Sequence, residues 1–328
     1  MSLPEIKNCP GTLAEGYATY SKTCLNRVFL GKKVNHVLPY ESPAFNPETN
    51  ELFDKNRQRI SISGVQEKFS ILLEKNKLRL INEGEQGLYI LKPIPSLGKR
   101  PDQMPANEHL TMQIARQVYG IETAENALIF FKDGTPAYIT KRFDINADGQ
   151  KLALEDFASL TGRTPQTHGE HYKYSGSYWE MFQMLKKLVP AYRLESIKLL
   201  KILMFNYLFS NGDAHFKNFS LIETPMGDFK LSPAYDLLNS RIHIEDRDFA
   251  LDDGLLPRNL TQGKIKHQFE VLAEKAEINK SFFSNILNDM LSQSQAVEKL
   301  VSSSFLDNKT QRNYWQSYQG RLKQLTKE

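Results

Sequence analysis

Cysteine is scarce: the 328 residues hold two, Cys9 and Cys24. A disulfide-stabilised chain of this length would carry more, so the thiols are expected to be free and the setting cytosolic. Their spacing is not the CxxC of a zinc knuckle. No stretch of about 18 apolar residues exists, so no segment is expected to span a membrane. The greasiest run, LLKILMFNYLF at 199–209, is interrupted by Lys201 and Asn206 and reads as a buried helix. The opening MSLPEIKNCP has no basic segment followed by an apolar one, so no signal peptide is expected and the chain is placed in the cytoplasm. Internal repeats and low-complexity tracts are missing, as are a Walker A motif and GxGxxG. Charge of one sign is missing too. The net charge is +4, from 42 basic and 38 acidic side chains, and it neither demands nor excludes a polyanionic partner.

What is present is ordinary globular material, 40% hydrophobic and 24% charged, enough for two domains or one two-lobed domain. Residues 1–58 form an N-terminal extension with no readable pattern; ESPAFNPETNELFDKNRQR within it suits a loop or extended arm. From Ser61 the pattern sharpens. EKFSILLEKNKLRLIN predicts two strands turning near Lys75–Lys77, and GLYILKPI a third. PANEHLTMQIARQVYG predicts a helix, with Pro105 and Asn107 in its first turn and Gly120 at its C-terminal cap. NALIFFKDGTPAYITKRFD predicts two strands around an Asp133-Gly134 turn. Beyond Asp144 the spacing turns helical in LEDFASLTG, SYWEMFQMLKKLV and LESIKLLKILMFNYLF. FSLIETPMGDFKLS then reads as a small hairpin, and the tail from Lys264 is helical again. Strands and helices are segregated, so the fold class is α+β, with a β-rich part over 59–145 and a helical part over 146–328.

The chemistry concentrates in SNGDAHFKNFS, residues 210–220. Asp213 and Asn218 are five positions apart, and Asp236 follows 18 later, across the hairpin, in SPAYDLL. A protein-kinase catalytic loop has an Asp base, a metal-binding Asn five residues on, and a second metal-binding Asp beyond a hairpin. Phosphoryl transfer needs a carboxylate to orient the attacking hydroxyl and hard oxygens to hold Mg²⁺. The plain alternative is that NGD is a turn whose side chains bond their own backbone. Lys217 either neutralises a phosphate or is solvated. His215 pairs with a carboxylate, meets a nucleotide or packs as a satisfied histidine. Lys92 in YILKP lies on a strand, where a kinase holds the α/β-phosphates with a lysine braced by a helix glutamate. Glu108 lies early on the following helix, where it equally favours the helix dipole. In SISGVQEKFS, Gly64 suits a backbone loop over phosphates, or is simply a turn. ITKRFD would connect two lobes, with Asp144 in reach of a ribose, or is a strand end with solvated charges. His168 and His171 sit in RTPQTHGEHYKYSG, which lacks a third metal ligand and suits a mobile surface loop that meets a substrate. Trp179, Phe182, Leu185 and Leu188 read as core. A metal hydrolase built on Asp213, His215 and Asp236 is a further alternative, one that has no use for Lys92.

Together, SISGVQEKFSILL, YILKP, PANEH, KRFD, NGDAHFKNFSL and SPAYDLL resemble the HipA family of bacterial serine/threonine kinase toxins. The likeness runs in the family's order from about Ser61 to Leu238.

The resemblance implies a two-lobed protein-kinase-like fold related to lipid kinases, using ATP and Mg²⁺. It implies that Asp213 is the catalytic base, that Asn218 and Asp236 are magnesium ligands, and that Lys92 holds the ATP phosphates. It places Gly64, Val65, Gln66, Lys68, Glu108, Lys141, Phe143, Asp144, His215, Lys217 and Tyr235 around the nucleotide, with Phe143 in the hinge. Ser61 falls where the family carries an autophosphorylated serine, and Ser63 is a second candidate. The Ser-Ile-Ser loop and the short N-terminal region are similar to the HipT branch. That branch implies a separate HipS-like small protein, a HipB-like DNA-binding antitoxin that links the kinase to DNA, and an aminoacyl-tRNA synthetase as substrate. A catalytically idle module that recruits the DNA-binding partner is the alternative within the same resemblance.

Overall fold

A computed structural model describes residues 5–43, 67–96, 98–245 and 247–327. The elements, in chain order, are α1 (Lys22–Val28), β1 (Phe69–Glu74), β2 (Lys77–Leu80), β3 (Tyr89–Lys92), α2 (Met104–Gln117), β4 (Asn126–Phe130), β5 (Pro136–Lys141), β6 (Leu154–Asp156), α3 (Phe157–Leu160), α4 (Pro165–His168), α5 (Trp179–Leu188), α6 (Tyr192–Leu208), β7 (Ser220–Glu223), β8 (Phe229–Leu231), α7 (Ile265–Lys275), α8 (Lys280–Ser292), α9 (Ser294–Ser302) and α10 (Asn308–Thr326). The chain divides into two compact units. The first takes residues up to 113 with 124–143 and 299–311; the second takes 114–123, 144–298 and the remainder from 312.

The first unit is built on a five-stranded antiparallel sheet in the order β2-β1-β3-β5-β4. The sequence dictates its hairpins. Lys75 turns β1 into β2 in the left-handed region (φ 56°), and Gly134 (φ 86°) does the same between β4 and β5. There the Asp133 carboxylate accepts the Thr135 N–H at 2.8 Å. β4 is buried along its whole length, which the uninterrupted NALIF run requires.

The N-terminal residues complete this core. Cys9, Tyr20, Cys24, Val28, Phe29, Val34 and Leu38 join Phe69, Ile71, Leu91, Ala127, Ile129 and Ile139 in one buried cluster. The Tyr20 hydroxyl donates to the Leu128 carbonyl at 2.8 Å, the Tyr89 hydroxyl to the Val28 carbonyl at 2.9 Å, and the Leu128 N–H to the Pro10 carbonyl at 2.7 Å. The segment read as an N-terminal extension is thus the covering layer of a sheet face. Gly11 is required where it stands, since a Cβ there would lie 2.0 Å from the Cys24 Sγ.

In the second unit a three-stranded antiparallel sheet, β6-β7-β8, accompanies the helices. α6 is its spine, buried almost continuously from Leu199 to Leu208. Each such apolar side chain contributes roughly 1.5–3 kcal/mol. On the same helix, buried Glu195 accepts from Lys198 at 2.8 Å and from the Leu231 N–H of β8 at 3.1 Å, which ties the hairpin to the helix. The helix ends at Leu208, and Ser210 just beyond it takes φ 53°, with Phe209 stacked on Phe205 and Tyr318. One local expectation is corrected here. LEDFASLTG is not helical throughout, because Leu154–Asp156 pair with β7 as a strand and Asp156 then caps α3 through the Ser159 N–H. No described helix is long and apolar enough to cross a membrane.

Candidate active site

The loop after α6 is held rigid by its own backbone. The Gly212 N–H donates to the Ser240 hydroxyl at 2.9 Å, and that hydroxyl donates to the Ser210 carbonyl at 3.0 Å. Asn211 caps the helix end through Asn206, and the Tyr178 hydroxyl donates to the Ala214 carbonyl at 2.7 Å. Asp213, Asn218 and Asp236 are all carried on this framework. The Asn218 Nδ2 donates to the Asp236 Oδ2 at 3.2 Å, so the loop and the segment beyond the hairpin converge as their spacing predicts. Asp236 adopts φ 55°, a conformation that asparagine, aspartate and glycine bear best. The Asp213 Oδ1 accepts the Tyr174 hydroxyl at 3.0 Å.

The donor chemistry of Asn218 and Asp236, an amide oxygen and a carboxylate, suits a hard cation. Among the described residues no group of three or more His, Cys, Asp or Glu gathers as a metal cluster. The Asn218 amide oxygen is the second hard donor beside Asp236. It now accepts the His215 N–H at 3.1 Å while the amide nitrogen faces Asp236. Ligation by Asn218 therefore requires its amide to turn. The His215 N–H keeps the Asp213 carbonyl at 2.8 Å when the amide turns, whereas the Asn218 Nδ2 gives up its bond to Asp236. The residues fit magnesium on that condition.

His215 is buried, and its ring meets Tyr174 edge-on at 5.2 Å. Burial, with Lys173 adding like charge, pushes its pKa down to about 3, so the imidazole is neutral near pH 7 and pairs with no carboxylate as a cation. The Nδ1 finds no hydrogen-bond partner among the described residues. The Lys217 Nζ lies 3.4 Å from the Tyr172 hydroxyl. The Tyr235 hydroxyl is engaged within the protein: it donates to the Lys217 carbonyl at 3.0 Å and lies 2.6 Å from the Ser220 hydroxyl, and burial raises its pKa.

In the first unit Lys92 is not the solvated strand end that a lysine usually makes. It is 3% exposed, and its Nζ donates to the Glu108 Oε1 at 2.6 Å. The Tyr138 ring lies beneath it at 5.3 Å. β3 and the N-terminal half of α2 hold the two partners. The α2 stretch around Glu108 buries Asn107, His109, Thr111 and Gln113 as well. The His109 Nδ1 lies 2.9 Å from the Asn126 Oδ1, which also accepts from the Gln113 Nε2 at 3.0 Å. Lys68, Lys141 and Phe143 are half-buried, and Asp144 is buried with its carbonyl accepting the Leu152 N–H at 2.8 Å. Ser61, Ser63, Gly64, Val65 and Gln66 lie outside the described residues.

Sequence reasoning missed the ring of support around Asp213. Tyr174 comes from RTPQTHGEHYKYSG, and Arg163 of the same segment is buried against Phe216 at 4.6 Å and paired with Glu180 at 2.7 Å. The segment is tied down rather than loose. Its tyrosine and glycine content was the one available signal, and it pointed to a loop without pointing to Asp213.

A family described as the HipA-like C-terminal domain matches residues 60–298. The chain belongs to that family. Among its curated relatives is the "Putative kinase Y4dM" of Sinorhizobium fredii, 30% identical over 74% of this chain and 60% of its own length. A "Putative kinase" of Haemophilus influenzae is 24% identical over 89% of this chain and 88% of its own. The chain thus spans less than two thirds of the first relative and most of the second. Two solved structures share the kinase-like fold, β-rich in its first part and helical in its second. HipA of the Shewanella oneidensis toxin–antitoxin system, solved with HipB and operator DNA, has a TM-score of 0.60 at 20% identity, covering 80% of this chain and 63% of that one. The Helicobacter pylori proinflammatory kinase CtkA has a TM-score of 0.52 at 14% identity, covering 77% and 92%.

Proposed function

We propose that this HipA-family chain is an ATP- and Mg²⁺-dependent protein serine/threonine kinase and the toxin of a toxin–antitoxin pair. The observation that carries the reading is the contact of Asn218 with Asp236 in the loop that also presents Asp213. In this reading Asp213 orients the attacking hydroxyl and accepts its proton. Asn218 and Asp236 hold magnesium, which when bound supplies charge neutralisation on the transferring phosphoryl group. Lys92, its ammonium aimed by Glu108, binds nucleotide phosphates. His215, neutral and buried, offers the nucleotide a surface without charge.

The family likeness further supports a DNA-binding antitoxin as partner, since the Shewanella HipA is described with HipB and operator DNA. The finer reading is HipT-like: an aminoacyl-tRNA synthetase as substrate, a HipS-like small protein beside the antitoxin, and autophosphorylation at Ser61 or Ser63. Phosphate there adds nearly two negative charges beside those of ATP and weakens nucleotide binding.

The test is transfer of radiolabel from [γ-³²P]ATP by the purified chain, with mapping of the labelled residue. Asp213→Ala and Asp236→Ala lose transfer; Asp213→Ala melts as the wild type does, and Asp236→Ala stays folded with the modest loss of stability that the φ of 55° at this position brings. Retained transfer in Asp236→Ala overturns the metal assignment, and a wild type that never turns over ATP overturns the kinase reading.

A further inference from the structure

We propose that Tyr174 is a positioning residue for Asp213: its phenol fixes one carboxylate oxygen so that the other faces the acceptor hydroxyl. This rests on the phosphotransfer reading and adds a part that the kinase loop pattern does not contain.

The bond itself is direct, 3.0 Å from the Tyr174 hydroxyl to the Asp213 Oδ1. A hydrogen bond to an ionised carboxylate is roughly twice as strong as a neutral one, so it decides how the carboxylate turns. What makes it a mount rather than a passing contact is the fixing of Tyr174. Its N–H donates to the His171 carbonyl at 2.9 Å, and its carbonyl accepts the Asp252 N–H at 2.9 Å. The next residue, Ser175, accepts from the Arg163 Nε at 3.1 Å and donates to the Tyr172 carbonyl at 3.1 Å. Arg163 in turn lies on the ring of Phe216, three positions beyond Asp213. Gly176 (φ 101°) allows the close passage, since a Cβ there would stand 2.2 Å from the Glu180 Oε1 and 2.4 Å from the Arg163 Nη2. The segment that supplies the phenol and the loop that supplies the carboxylate are therefore braced against each other. The Tyr174 ring also rests edge-on against His215, which removes its freedom to swing away.

A phenol in this place has three possible roles, and they predict different kinetics. As a positioning donor it speeds turnover. As a plug in the acceptor's place it slows turnover. As the acceptor itself it ends up phosphorylated. The rigid mounting favours the first, since a plug must leave and an acceptor must approach the phosphate.

The experiment measures phosphate release from ATP, and transfer to dephosphorylated casein as a generic acceptor, by the full chain. Tyr174→Phe is expected to lower kcat by about ten- to a hundredfold, the loss of a charge-assisted hydrogen bond, with the KM for ATP unchanged. Fluorinated tyrosine at position 174, whose hydroxyl ionises at lower pH, keeps kcat at low pH and moves the alkaline limb of the kcat profile downward. A purely structural tyrosine leaves that limb in place. Unchanged kcat in Tyr174→Phe, a faster variant, phosphate on Tyr174, or a limb that ignores fluorination overturns the proposal. If the wild type turns over ATP, Asp213→Ala does not, and Tyr174→Phe equals the wild type, this inference fails and the kinase reading stands. If the wild type is as inert as Asp213→Ala, both fail.

Discussion

Lys92 and Glu108 meet at 2.6 Å with side chains 4% and 2% exposed, an ion pair taken almost wholly out of water. Removing either partner breaks a buried ion pair, at a cost of about 3–5 kcal/mol. Lys92→Met and Glu108→Leu should each lower the unfolding free energy by that order. The double variant should lose clearly less than the sum, because neither charge then remains. Urea titrations of the four proteins decide it; additive losses would show that the pair is not coupled.

The backbone of Asp236 sets a second expectation. At φ 55° a residue other than glycine, asparagine or aspartate is strained by roughly 1–2 kcal/mol. Asp236→Asn should melt as the wild type does while losing ATP turnover, and Asp236→Val should lose both turnover and about that much stability. Equal melting of the Asn and Val variants would contradict the strain argument.

Acid should weaken the fold through His109. Burial lowers its pKa to about 4 from the ordinary 6.5, and Asn126 opposes this only in part. The Asn126 Nδ2 donates to the Ala124 carbonyl at 2.9 Å, so its oxygen faces His109. The His109 Nδ1 must then carry the proton, and the Nε2 has no partner among the described residues. A second proton would lack an acceptor. The folded state binds fewer protons than the unfolded one between pH 6.5 and 4, so stability is whole above that window and falls as pH drops through it. The loss is on the order of 3 kcal/mol. His109→Gln should flatten the slope of unfolding free energy against pH there; an unchanged slope would place the effect elsewhere.

Gly11 and Cys24 make a steric pair. Gly11→Ala should cost about 1–3 kcal/mol by overpacking, since its Cβ would sit 2.0 Å from the Cys24 Sγ and 3.5 Å from the Ala127 Cβ. Cys24→Ala in the same chain should recover the part due to the Sγ but not all of it, since the Cβ at position 24 would still stand 2.9 Å away. Thermal melts of both single variants and the double give the coupling, and a double variant no better than Gly11→Ala would refute it.

The strands of the first sheet were legible as short apolar runs bounded by turn residues such as Gly134, which hairpins need in the left-handed region. The meeting of Asn218 with Asp236, and of Lys92 with Glu108, was legible because spacing along a known chain pattern carries three-dimensional information. The N-terminal layer was not. Tyr20, Cys24 and Val28 stand four apart, but α1 is only seven residues long, too short a stretch to announce itself, and Cys9 lies outside any helix. Leu154–Asp156 read as helix because three residues hold too little pattern to announce a strand whose partner, β7, comes 64 positions later at Asp156↔Ser220. Tyr174 reaches Asp213 across 39 positions, and local composition cannot report such a contact.

The two ends of the first unit are stitched together. The Asn8 Nδ2 donates to the Ser303 carbonyl at 2.8 Å, and Phe130 packs on Phe305. The stretch that matches the family, 60–298, leaves out Asn8, Ser303 and Phe305. Trimmed to those borders, the protein would leave Ile71, Ile129 and Ile139 facing water on one side and would be recovered as aggregate.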